Sequence, residues 1–71
     1  MDKKARLILA KRVKELREKR GMTQEKLVSS TGIDYKYVQR IEGKSPPAVR
    51  IDTIEKIAQA LKTTCSDLLK K

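Results

Sequence analysis

Apolar residues recur along the chain at the three- and four-residue spacings that are typical of amphipathic helices. In the first such segment Leu9, Val13 and Leu16 share one face, and Gly21 follows as a residue that commonly ends a helix. The pattern predicts five helices, at residues 3–20, 24–31, 35–42, 50–61 and 65–70. A chain of 71 residues has room for one hydrophobic core, so we expect a single compact all-α domain spanning residues 1–71.

Polar residues that commonly cap helices stand before four of these segments. The predicted N-caps are Asp2, Thr23, Asp34 and Thr64. Asp67 follows Thr64 at the spacing of a capping box, which predicts reciprocal hydrogen bonds at the start of the last helix. Gly32 ends the second helix close to the start of the third, so these two helices must cross steeply. Residues 23–43 are therefore predicted to form two short helices joined by a glycine turn.

The third segment, residues 34–42, separates its side chains into two faces. The inward face is predicted to contain Asp34, Tyr37, Val38 and Ile41. The outward face then contains Tyr35, Lys36, Gln39 and Arg40. Cationic and amide side chains are the donors that reach guanine and adenine in the major groove. A solvated helix face usually carries some Asp or Glu as well, and the lack of both here favours a nucleic-acid interface.

The end of the chain is predicted to complete the core. A loop with the sequence KSPPAV follows Gly43, and its two prolines restrict its conformation. The fourth helix is expected to place an apolar face against the core, formed by Ile51, Ile54, Ile57, Ala58 and Leu61. Leu68 and Leu69 in the last segment have two interpretations, since they either close the core of the monomer or contact a second copy of the chain.

The charge of the chain favours a polyanionic partner. Its formal net charge is +9, from 18 basic and 9 acidic residues. Residues 1–20 alone contain nine basic and three acidic residues. For any single cation of the first helix, an ordinary solvated position remains an alternative to a role in binding.

Composition also indicates which classes of protein are not expected. The chain has no His, no glycine-rich phosphate loop and no carboxylate pair beside an apolar pocket, so we do not expect an enzyme. Cys65 is the single cysteine, which predicts neither an intrachain disulfide nor a metal site, and we expect no cofactor. No apolar run is long enough for a signal peptide or a membrane span, so a cytoplasmic location is expected.

Three segments in register closely resemble the phage-repressor and Cro-like helix-turn-helix family, often called Xre-like. They are REKRGMTQ at residues 17–24, TGID at 31–34 and YVQRIEG at 37–43, and they are followed by IDTIEKIAQAL and SDLL. The resemblance covers about residues 9–69. It implies a five-helix lambda-repressor-like domain with its helix-turn-helix in helices 2 and 3, and helix 3 in the major groove. The implied function is a sequence-specific, double-stranded DNA-binding transcriptional regulator of repressor or controller type.

The resemblance also implies roles for individual residues. It implies DNA contacts from Gln24, Tyr35, Lys36, Gln39, Arg40 and Lys44. Of these, Gln24 and Lys44 match positions at the DNA backbone, and the other four match positions that read bases and flanking phosphates. Arg17 and Glu42 match a structural ion pair of the family. Arg50 is a weaker candidate for a backbone contact, and Lys62 stands where a glycine commonly ends the fourth helix.

A homodimer bound to a pseudo-palindromic operator is the expected assembly, with half-sites about 34 Å apart. No second domain for sensing a ligand is expected in the chain, so regulation would depend on concentration, dimerisation or a partner protein. Two alternatives remain open. One is an antitoxin-like or other protein-interaction module with the same fold, and the other is nonspecific nucleic-acid binding through the basic first helix.

Overall fold

Five helices form all the regular secondary structure of residues 1–70, the part of the chain that the computed structural model describes. They are α1 Lys3–Lys19, α2 Gln24–Thr31, α3 Tyr35–Ile41, α4 Ile51–Ala60 and α5 Cys65–Leu68. The all-α, five-helix fold class is therefore confirmed. Every helix begins within one residue of its predicted start, while α5 ends two residues before its predicted end. The predicted domain range also includes Lys71, which lies outside the described residues.

The four predicted N-caps are confirmed by hydrogen bonds from backbone N–H groups to the capping side chains. The accepting residues are Asp2, Thr23, Asp34 and Thr64. The prediction that Asp34 faces inward is wrong, since its side chain is exposed and accepts from the N–H of Lys36 at 2.9 Å. A capping carboxylate has to reach the free N–H groups in the first turn of the helix, and this directs the side chain of Asp34 away from the core.

One hydrophobic core joins all five helices. Its fully buried members include Leu9, Val13, Leu27, Val38, Ile41, Ile57, Leu61 and Leu68. α2 packs against α3 and α4, while α1 packs against α3 and α5. Ile51 was predicted to join this core, but 61% of it is exposed, and Val49, two residues earlier, is buried instead. No helix within residues 1–70 is long and apolar enough to cross a membrane.

Asp67 connects α5 to α1. Its carboxylate accepts a hydrogen bond from the hydroxyl of Thr63 at 2.7 Å and another from Arg12 at 3.1 Å. The predicted capping box is therefore only half correct, because Thr64 caps the helix but the Asp67 carboxylate binds other partners. The pKa of the Asp67 carboxyl lies below its ordinary value. The main cause is the hydrogen bond from the Thr63 hydroxyl, and the positive charge of Arg12 also contributes.

α1 and α4 end in the same way, although only one of them has a glycine there. After α1, Gly21 has φ +68°, and the N–H of Met22 donates to the carbonyl of Arg17 at 3.0 Å. After α4, Lys62 has φ +56°, and the N–H of Thr63 donates to the carbonyl of Ala58 at 2.9 Å. Both ends are Schellman motifs, so Lys62 adopts the left-handed conformation of the glycine that the resemblance implied.

Candidate nucleic-acid interface

The turn between α2 and α3 is held by backbone geometry and by one hydroxyl group. Gly32 has φ +74°, a left-handed conformation that glycine adopts without strain. The hydroxyl of Thr31 donates to the carbonyl of Leu27 at 2.8 Å and accepts from the N–H of Ile33 at 3.2 Å. Leu27 lies in the core below the turn. These bonds fix how α3 leaves α2, and so they fix which side of α3 faces solvent.

α3 places four polar or aromatic side chains on one exposed surface. Tyr35, Lys36, Gln39 and Arg40 are all exposed. Val38 and Ile41 are buried on the other side of the same helix. No acidic residue lies within α3. The helix therefore presents cations, an amide and a phenol to solvent, which are suited to phosphate oxygens and base edges.

A buried ion pair lies below one end of this surface. The guanidinium of Arg17 donates to the two carboxylate oxygens of Glu42 at 2.9 and 3.0 Å. It also donates to the carbonyl of Met22 at 2.7 Å. Only 10% of the Arg17 side chain and 3% of the Glu42 side chain are exposed. The ion pair implied by the family resemblance is therefore present, and it joins the end of α1 to the end of α3.

The contacts around Arg17 favour its charged form. Hydrogen bonding to Glu42 raises the pKa of the Arg17 guanidinium above its ordinary value, although burial opposes the shift. Glu42 directly follows the last residue of α3, where the negative end of the helix dipole disfavours a carboxylate. Arg17 offsets this unfavourable placement, so the two residues stabilise the structure as a unit.

Gln24 also belongs to this network, which sequence reasoning did not predict. It is the first residue of α2, and its amide nitrogen donates to a carboxylate oxygen of Glu42 at 3.2 Å. Residues 24 and 42 belong to different helices, and no local pattern connects them. The proposed backbone contact at Gln24 is thus held in place by the same carboxylate that binds Arg17.

The two remaining candidates lie in the connection between α3 and α4. Lys44 is exposed and lines the same groove as Arg40. Arg50 is the residue before α4, and 84% of its side chain is exposed. Its guanidinium lies 3.4 Å from the carboxylate of Asp52. The structure therefore brings Lys44 next to the exposed face of α3, whereas Arg50 contacts the first turn of α4.

Comparisons with known proteins agree with the helix-turn-helix fold. Residues 12–70 match the family model of the Cro/C1-type HTH DNA-binding domain. The crystal structure of a hypothetical transcription factor from Neisseria, NHTF, is 31% identical in sequence and has a TM-score of 0.86. That match covers 99% of this chain and 80% of the other.

A second solved structure is similar over most of its length. It is the restriction-modification controller protein C.AhdI from Aeromonas hydrophila, which is 32% identical with a TM-score of 0.81. The match covers 89% of this chain and 94% of the other. No curated protein matches the chain significantly.

Proposed function

The chain belongs to the family of Cro/C1-type helix-turn-helix DNA-binding domains, and we propose that it is a sequence-specific transcriptional regulator of repressor or controller type. In this proposal α3 lies in the major groove of double-stranded DNA, and the start of α2 faces the phosphate backbone. Tyr35, Lys36, Gln39 and Arg40 contact bases and flanking phosphates. Gln24 and Lys44 contact the backbone on either side of them.

The observation that carries this proposal is the exposed face of α3, which lacks acidic residues. Buried contacts on the opposite side and at the end of α3 hold this face in place. Val38 and Ile41 anchor the helix from below, and Glu42 is buried against Arg17. A helix whose orientation is fixed can present its donors to bases without a large loss of backbone and loop entropy on binding. The network at Glu42 also orients Gln24 relative to α3. The interface is thus preorganised for a duplex.

We further propose that two copies bind one operator as a homodimer. A pseudo-palindromic site presents the same half-site twice, and a twofold-symmetric dimer can contact both halves with the same surface. The expected spacing between the half-site centres is about 34 Å, or one helical turn of DNA. Binding to a protein partner and sequence-independent DNA binding are the alternatives that the experiment below distinguishes.

Selection of binding sites from a pool of random duplexes tests this proposal most directly. A regulator of this type should recover one pseudo-palindromic sequence and prefer it over random DNA by about a thousandfold or more at physiological salt. The recovered sequence would also report the symmetry and the half-site spacing. Equal affinity for all duplexes would contradict sequence-specific binding and would leave a nonspecific nucleic-acid binder. No affinity for any duplex would point to the protein-interaction alternative.

Substitutions on the selected duplex then test the proposed roles of single residues. Lys36→Ala and Arg40→Ala should weaken binding to the selected site by about 1–3 kcal/mol more than binding to random DNA. Gln24→Ala should weaken binding to both duplexes by similar factors, since a backbone contact carries no sequence information. Lys56→Ala removes an exposed cation from α4 and serves as the control. A footprint that all three test variants leave unchanged would show that α3 does not read the DNA.

A further inference from the structure

A groove of about 450 Å³ lies between the start of α1 and the loop that follows α3. Lys3 and Arg6 line it from α1, while Arg40 and Lys44 line it from the opposite side. Ser45 adds a hydroxyl group, and no Asp or Glu is among the lining residues. Two segments that are far apart in the sequence thus place four cations around one space.

These four positive charges are not neutralised by neighbouring acids. Within residues 1–70, no salt bridge includes any of the four. The Nε of Arg6 donates to the carbonyl of Met1 at 3.0 Å, which is an uncharged acceptor. The carboxylate of Asp2, beside Lys3 in the sequence, accepts the N–H of Ala5 at 2.8 Å as the cap of α1. The groove therefore has an excess of positive charge, which the nearby carboxylate of Asp2 reduces only in part.

Helix stability does not explain why cations stand at this end of α1. The first turn contains Lys3, Lys4 and Arg6 but no acidic residue. The positive end of the helix dipole disfavours cations there and favours anions. The Asp2 cap offsets part of this cost, and an anion bound in the groove beside Lys3 and Arg6 would offset more of it.

The two walls of the groove are connected to each other. Pro46 is buried in the loop, and Val49, further along the same segment, is buried in the core. The N–H of Val49 donates to the sulfur of Met1 at 3.3 Å, and the carbonyl of Met1 holds Arg6. Proline fixes its own φ angle and stiffens the loop. The fold therefore holds together the two backbone segments that carry the four cations.

We propose that this groove binds a phosphate of the DNA backbone just outside the bases that α3 reads. Arg40 belongs both to the exposed face of α3 and to the groove, so the groove continues the proposed DNA surface. Lys3 and Arg6 thereby extend the interface beyond the helix-turn-helix to the first turn of α1. This inference rests on the proposed function, because it assigns a further contact to the same duplex.

The salt dependence of DNA binding tests this assignment. The double variant Lys3→Gln/Arg6→Gln should reduce the slope of log K against log salt concentration by about 0.9 for each phosphate that the variant no longer neutralises. It should weaken binding to the selected duplex and to a random duplex by similar factors, and so keep the sequence preference. Ethylation interference should identify, at each half-site, a flanking phosphate that is essential for the wild-type protein but not for the variant.

Two further variants distinguish a direct contact from other effects. Lys11→Gln/Lys14→Gln removes the same charge from exposed positions of the same helix, outside the groove, and should keep the flanking phosphate essential. Arg6→Lys keeps the charge but loses the Nε donor to Met1, and it should retain the wild-type slope. If both double variants lower the slope equally, net charge is responsible, and the groove is not a phosphate site. If Arg6→Lys behaves like the Lys3→Gln/Arg6→Gln variant, the role of Arg6 is structural and the proposal is overturned.

The outcomes also separate this inference from the proposed function. If the wild-type protein shows no preference among duplexes but the Lys3→Gln/Arg6→Gln variant loses slope on random DNA, sequence-specific regulation fails and the groove assignment stands. If the preference is present and the slope is unchanged in that variant, the groove assignment alone fails. Inorganic phosphate that binds the groove and is not displaced by duplex DNA would indicate a site for a free anion, which also overturns the proposal.

Discussion

Arg17 and Glu42 are two residues whose contribution to stability depends on both being present. Their side chains are nearly buried, and the guanidinium satisfies both carboxylate oxygens and the carbonyl of Met22. Removing one member of such a pair leaves an uncompensated charge in a poorly hydrated site. Because Gln24 binds the same carboxylate, a change at Arg17 should affect both the fold and the position of a proposed DNA contact.

Replacing Arg17 with Met should destabilise the protein by about 3–5 kcal/mol, because Glu42 would stay buried without a counterion. Urea-induced unfolding followed by circular dichroism measures this difference. The double variant Arg17→Met/Glu42→Gln is the matched control. It removes the stranded charge and should recover more than half of the lost stability. A loss below about 1 kcal/mol in the single variant would mean that the Glu42 carboxylate reaches solvent.

At the scale of the elements, the ends of α1 and α4 offer a comparison within one molecule. Both are Schellman motifs with a residue in the left-handed region, but one has Gly21 and the other Lys62. The left-handed region disfavours a residue with a β-carbon by about 1–2 kcal/mol. Space is not the limitation at Gly21, where an added β-carbon would have no neighbour within 4 Å. The difference between the two ends is therefore one of backbone preference.

Lys62→Gly should stabilise the protein by up to about 1 kcal/mol, because relief of the backbone strain is partly offset by the greater freedom of glycine in the unfolded chain. Gly21→Ala should destabilise it by about 1 kcal/mol, because alanine has a β-carbon that the left-handed conformation disfavours. Thermal unfolding should separate the two variants clearly, since 1 kcal/mol corresponds to about 4–8 °C in a domain of this size. The bond from Arg20 to the carbonyl of Lys62 uses the backbone and should survive the substitution. A destabilised Lys62→Gly variant would mean that the lysine side chain makes an important contact.

The elements also show which features a sequence can predict. Both ends of α2 were predicted correctly, because Thr23 and Gly32 are signals that act locally. Apart from Asp34, which caps the helix, the exposed and buried faces of α3 followed from helical periodicity in the same way. The contact of Asp67 with Arg12 was missed because the two residues lie 55 positions apart in the sequence. The same limit applies to the candidate site, where the contact of Gln24 with Glu42 and the groove at Lys3 exist only after the helices have packed together.

For the molecule as a whole, the structure distinguishes two leucines that the sequence could not separate. Leu68 is completely buried in the core, so it is not available to a second copy of the chain. Leu69 is 36% exposed beside the end of α5. Leu68→Ala should therefore destabilise the monomer by about 2–5 kcal/mol, as expected for a core leucine. A dimer surface at this end of the chain has to use Leu69 without Leu68.

Leu69→Lys should weaken the proposed homodimer without unfolding the monomer, because it places a charge on an exposed apolar position near α5. Sedimentation velocity over a range of protein concentrations, with and without the selected duplex, measures the change in self-association. Ile51→Lys introduces the same charge at an exposed apolar residue at the start of α4 and serves as the matched control. We expect Leu69→Lys to bind the two half-sites independently, whereas Ile51→Lys should remain dimeric and bind them together.

If Ile51→Lys dissociates the dimer and Leu69→Lys does not, the interface lies at the start of α4. If the wild-type protein sediments as a monomer at every concentration and on the duplex, the proposed dimer is wrong.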